Sequence, residues 1–191
     1  MITTKTELRR VLDQEKPLYI PTDRGDRWYA YLINKPCVKI WHWQKLLRKS
    51  EYWFNNRHRS PLHYLRFLWI YRRKNNAGRR LGIEISENTF DVGLKIHHEG
   101  NIVVNGNATV GRNCILHGTN CIGNRGVGEG TFDTPVIGDN VDFGVGACAI
   151  GGITIASDTI VGAGAVVVKS SLEPGVTLVG VPARPVRRTE R

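Results

Sequence analysis

Six histidines occur in the 191-residue chain, and they divide by neighbourhood. His42, His58 and His63 sit among aromatic and basic side chains, where an imidazole packs or faces solvent. His97, His98 and His117 sit in a stretch rich in valine and glycine, with Glu99 following the adjacent pair. A neutral imidazole near pH 7 is the natural base for taking a proton from a hydroxyl nucleophile. The bland reading of His117 is a hydrogen-bonded corner residue.

The elements that must position these groups are set by a period of six. Val104, Val110, Leu116 and Ile122 form one run, and Ile137, Phe143, Ala149, Ile155, Val161 and Val167 form another. Helices repeat at 3.6 and strands at 2, so neither explains it. Short flat strands joined by tight corners do, with three faces closing one coil of a parallel β-helix. Residues eighteen apart then stack, about 4.8 Å apart along the axis. On that spacing His117 lies one coil above Glu99 and next to the neighbour of His98. Between Ile122 and Ile137 the frame slips, and Asn124 to Pro135 must leave the coil as a loop. Loops on a rigid scaffold commonly carry function, so this reading has imidazoles, Glu99 and loop converging at one level.

Charge divides the chain again. Residues 1–80 carry 19 basic and 6 acidic side chains, whereas residues 81–191 carry 8 and 11. With the shift from aromatic to glycine- and valine-rich composition, this predicts a basic α-helical region over 1–80 and a β-helix over 81–191. The β-helix includes the 124–135 loop and ends in a short tail. Thr4 and Glu7 predict a capped first helix, broken by Pro17. Further helices are expected over 27–34, 37–54 and 61–74. The last is apolar almost all round, which fits packing against a partner or lying on an anionic membrane surface. No helix-turn-helix, zinc-finger or RNA-binding pattern supports nucleic acid. Cys37, Cys114, Cys121 and Cys148 form no C-x-x-C pair. With no signal-peptide-like stretch, the expectation is a cytoplasmic protein, in part peripheral to the membrane.

Residues 98–104 (HEGNIVV) resemble the catalytic stretch of the serine acetyltransferase branch of the hexapeptide-repeat acyltransferases. Residues 136–169 and the run Gly180-Val181-Pro182-Ala183-Arg184 resemble that family's last coils and C-terminal signature. The resemblance covers about residues 81 to 188. It implies a left-handed coil and acetyl-CoA as co-substrate, with no resident metal. It implies His98 as general base, oriented by Glu84 or, in reserve, Asp91. Gly144, Val145, Ala163, Val168 and Lys169 would line the acetyl-CoA site, with Arg184 and Arg187 on its phosphates. It further implies a homotrimer or a dimer of trimers, with each site shared between neighbouring subunits.

Two departures bear on the acceptor. An aspartate directly before the catalytic histidine is His97 here, and a histidine before the loop proline is Thr134. Serine would lose two partners, so a saccharide or polysaccharide-precursor hydroxyl is favoured, with His97, Glu99, His117, Asp133 and Thr134 as its contacts. Serine O-acetylation in cysteine synthesis is the alternative, and a non-catalytic trimeric scaffold is a second. A β-helical carbonic anhydrase needs three zinc-bound histidines, of which His98 and His117 would supply two.

Overall fold

A computed structural model of the chain describes residues 1–126 and 133–186. Four helices come first: α1 (Lys5–Tyr19), α2 (Arg24–Leu32), α3 (Pro36–Asn56) and α4 (Pro61–Leu81). Fourteen short strands follow among the described residues: β1 (Ile83–Glu84), β2 (Lys95–Ile96), β3 (Ile102–Val104), β4 (Thr109–Val110), β5 (Ile115–Leu116), β6 (Cys121–Gly123), β7 (Val136–Ile137), β8 (Asp142–Phe143), β9 (Cys148–Ile150), β10 (Thr154–Ile155), β11 (Ile160–Val161), β12 (Val166–Val167), β13 (Thr177–Val179) and β14 (Arg184–Val186). They form three parallel faces, β1-β3-β6-β9-β12, β4-β7-β10 and β2-β5-β8-β11-β13. β14 pairs antiparallel at the end of the third.

The chain winds from the third face to the first and then to the second before repeating. Every aliphatic in the two six-residue runs is at most 3% exposed, so the period marks the prism interior. Three residues with positive φ, Asn113, Asn140 and Asp158, stack at one corner. Their side chains form a ladder, Asn113 Nδ2 donating to Asn140 Oδ1 at 2.9 Å and Asn140 Nδ2 to Asp158 Oδ1 at 2.9 Å. Asparagine tolerates the left-handed conformation, and the ladder satisfies its amide.

The register departs from eighteen where chemistry is expected. Asp142 pairs with Ile160, eighteen residues on, but Lys95 pairs with Ile115, twenty on. The two additional residues lie in the corner between β2 and β3, which holds His98 and Glu99. Cys121 pairs with Cys148, twenty-seven on, so the segment after β6 inserts nine residues.

The helices differ from expectation at their ends. The capping box at Thr4 and Glu7 is present, but α1 runs through Pro17 to Tyr19. A proline in the last turn removes one backbone donor, and the turn is held by tertiary bonds instead. The Tyr19 hydroxyl donates to Leu94 O and accepts from Ile96 N, both at 3.0 Å. α4 extends seven residues past the expected stop. Gly78 sits inside it because an added Cβ would lie 2.4 Å from Ile83 O. Close packing of helix on coil, invisible to local propensity, decides this position.

The helices dock over the first coil through buried charge. Arg48 Nη2 lies 2.6 Å from Glu15 Oε1, and Arg48 Nη1 lies 2.9 Å from Glu51 Oε2. The same guanidinium donates to the carbonyls of Phe90 and Asp91. Burial alone would lower the Arg48 pKa, but Glu51 and Glu15 outweigh it and hold the group charged. Lys74 repeats the device with Glu87 at 2.8 Å and Ile85 O at 3.0 Å. Among the described residues, no helix is long and apolar enough to cross a membrane. α4 nevertheless leaves Leu62, Leu65 and Trp69 more than half exposed.

Candidate active site

The corner between β2 and β3 presents His98 and Glu99 to solvent. Each later corner along that edge is two residues shorter, so this one bulges outward. Gly118 sits over His98 with φ +118, and a Cβ there would lie 3.4 Å from the His98 Cβ. Bare backbone at 118 therefore leaves the imidazole open on that side.

His97 takes a different path. Its backbone N–H donates to Leu116 O at 2.9 Å, which keeps it on the third face. Its ring stacks on His117 with centroids 4.4 Å apart and planes 12° from parallel. His117 thus has His97, not Glu99, beneath it. The expected stacking over Glu99 fails because the first corner is longer than the later ones. His117 Nε2 lies 3.0 Å from Asp142 Oδ1. That approach is not aligned as a hydrogen bond, and Oδ1 has no other donor among the described residues. Burial lowers the His97 pKa, with Lys95, His117 and His98 adding to it and Asp142 opposing. His97 is therefore held toward its neutral form.

Asp142 was not found by the sequence reading. It stands beside His117 only because the loop adds nine residues, and spacing alone does not show that count.

The remaining predicted residues fall on two edges of the first face. In register, His98, Gly118, Val145 and Ala163 climb one edge, with Gly144 beside them. Val145 is 52% exposed there. Gly146 N donates to Gly118 O and Gly164 N to Val145 O, which fixes the column. Asp133, Thr134, Val168 and Lys169 lie on the other edge. Thr134 Oγ1 donates to Asn107 O at 2.8 Å, and Arg125 Nη2 reaches Val168 O at 3.3 Å. The expected convergence of His98 with the loop therefore does not occur within one chain. The prism is three-sided, and the loop leaves one full face away. Arg184 is exposed on β14, and Arg187 lies outside the described residues.

Glu84 points outward from β1 and pairs through its backbone with Val103. No hydrogen bond or ion pair joins it to His98 among the described residues. Asp91 faces Arg112 instead, at 3.5 Å. Within a single chain, neither carboxylate orients the base.

A serine acetyltransferase from Helicobacter pylori (strain J99) is 32% identical over 129 residues, covering 66% of this chain and 74% of the relative. The chain belongs to the serine acetyltransferase family. The solved Neisseria gonorrhoeae member in complex with serine is 26% identical with a TM-score of 0.71, over 96% of this chain and 70% of that one. A Brucella abortus member in complex with coenzyme A shares the fold with a TM-score of 0.74, at 24% identity over 97% of this chain and 70% of that one. The fold is thus the left-handed parallel β-helix of this family, preceded by helices; the repeat led to the coil, and the resemblance to its hand. No family model matches the chain. Three further curated acetyltransferases that it matches are longer, and the chain spans 23%, 36% and 56% of their lengths. The named family members are serine acetyltransferases. They favour the alternative acceptor over the saccharide that the sequence departures suggested.

Proposed function

We propose that the chain transfers the acetyl group of acetyl-CoA to a hydroxyl, with His98 as general base and serine as the acceptor supported by the comparisons. The observation that carries this is the exposed His98 in the lengthened first corner of a family β-helix. His98 takes the hydroxyl proton as that oxygen attacks the thioester carbonyl. Backbone amides of the His98 edge, where Gly144, Val145 and Ala163 stand, hold the developing oxyanion. The C–S bond then breaks, and the proton on His98 passes to the CoA thiolate. The products are an acetyl ester and CoA.

The two edges of the first face support a site shared in a trimer. One subunit brings His98, Gly144, Val145 and Ala163. The next brings Asp133, Thr134, Val168 and Lys169, with Arg184 and Arg187 assigned to the CoA phosphates. Glu84 orients the base in that assembly rather than in the lone chain. His97 and His117 flank the acceptor on the third face.

The test is CoA release from acetyl-CoA with serine, with mass spectrometry of the product. Serine-dependent formation of an acetyl ester is expected, lost in His98→Ala while CoA binding persists. Absence of acetyl transfer to serine and to a panel of other hydroxyl compounds overturns the reading.

A further inference from the structure

A cleft of about 740 Å³ lies between α3, the C-terminal half of α4 and the first corner of the coil. Leu46 and Leu81 contribute to an apolar floor. Its rim carries Lys39, His42, Arg73 and Arg80, and its one carboxylate is Glu99, the residue after His98. The cleft therefore reaches the corner that carries the proposed base.

The rim charges are not spent on partners. No ion pair reaches Lys39, Arg73 or Arg80 among the described residues. The Arg73 guanidinium stacks on Trp69 at 4.8 Å, which positions it while leaving its edge donors available. His42 is lowered by burial first and by Lys45, Arg73 and Lys49 next, so it adds a neutral imidazole at pH 7. The lining thus carries three cations against one carboxylate. Serine is a zwitterion of zero net charge and far smaller than this volume. A phosphate ester carries about −1.5 to −2 at pH 7, with oxygens suited to guanidinium and ammonium donors.

The asymmetry of the lining sets a direction. Glu99 repels a phosphate but accepts a hydrogen bond from a hydroxyl, and it stands at the His98 end. We infer that the cleft is an anion subsite of the acceptor pocket, taking the phosphate of a small phosphorylated hydroxyl compound whose hydroxyl lies toward Glu99 and His98. This rests on acetyl transfer at His98; it adds to serine a second, anionic class of acceptor and in that departs from the named relatives.

The test uses inorganic pyrophosphate as probe on the full chain, by calorimetry and as an inhibitor of acetyl transfer to serine. Pyrophosphate is expected to bind, and to compete with serine rather than with acetyl-CoA. The double variant Lys39→Gln/Arg80→Gln should weaken it about tenfold or more, since charge-assisted hydrogen bonds are lost. Glu99→Gln should tighten it, a gain that misfolding does not produce. Failure to bind, binding indifferent to the double variant, or competition with acetyl-CoA alone overturns the inference; the last outcome assigns the anion to the CoA side. If no acceptor is acetylated, the proposed function falls, while calorimetry still decides the anion subsite.

Discussion

The helical region and the coil are held together by opposite means. The coil is an apolar prism, filled by Leu116, Ile122, Phe143, Ile155 and Val161 at no exposure. The helices bury Glu15, Arg48, Glu51 and Lys74, the buried charged residues among those described. Apolar filling is indifferent to direction, so the coil draws its specificity from repetition. Charged groups bonded to single carbonyls are directional, and they fix how the helices sit on the first coil. The difference teaches where precision is needed. The helices clamp the turn that leads into β2, through Arg48 to Phe90 and Asp91, and β2 itself, through Tyr19 to Leu94 and Ile96, just ahead of the corner that holds His98.

The largest effect should come from the chemistry proposed for the coil. His98→Ala should lower kcat by about 10²- to 10⁴-fold, the usual worth of a general base. Its melting temperature should hold, because the side chain is exposed. A kcat within a few-fold of the parent would move the chemistry elsewhere.

Next come the two kinds of core. Arg48→Met strands Glu15 and Glu51 and should cost about 3–5 kcal/mol. Phe143→Ala empties a packed layer and should cost about 3–5 kcal/mol. For a chain of this size each lowers the melting temperature by roughly 10 °C. The comparison is sharpened by adding Glu15→Leu and Glu51→Leu to Arg48→Met, which should recover much of the loss, since apolar groups can replace a buried ionic cluster. No second-site change of charge should rescue Phe143→Ala. Equal rescue of both would erase the distinction.

A smaller effect concerns the stacked imidazoles. Lys95→Gln should raise the His97 pKa toward its ordinary value, because burial remains while a nearby cation is gone. Proton NMR titration of the His97 ring reads this, and an unchanged or lower value would refute it.

The smallest is at the edge of the helical region. The backbone N–H groups of Thr3 and Thr4 hold the Glu7 carboxyl down at about 2. Its lowered value stabilises the folded state above the unfolded carboxylate pKa. That contribution is lost as pH falls from about 4.5 toward 2. The stability difference between the parent and Glu7→Gln should therefore shrink across that window, measured by thermal melts.

Much of this molecule is legible in one dimension. The six-residue period fixes which side chains fill the prism, because each flat strand points the same position inward on every coil. The capping box and the helix starts at Pro36 and Pro61 follow from local hydrogen bonding and fixed φ. The short motif around His98 is what singles it out as the proposed base. What the tertiary structure alone decides is register across irregular corners. Two residues in the first corner move His117 from Glu99 onto His97, and nine in the loop bring Asp142 beside it. The same holds for α4, whose Asn75 to Gly78 stay helical because the coil packs against them, and for the cationic cleft, whose residues come from three elements far apart in sequence. Local spacing fixes what a residue's own strand does with it. Only closure of the coil under the helices fixes which distant residue it meets.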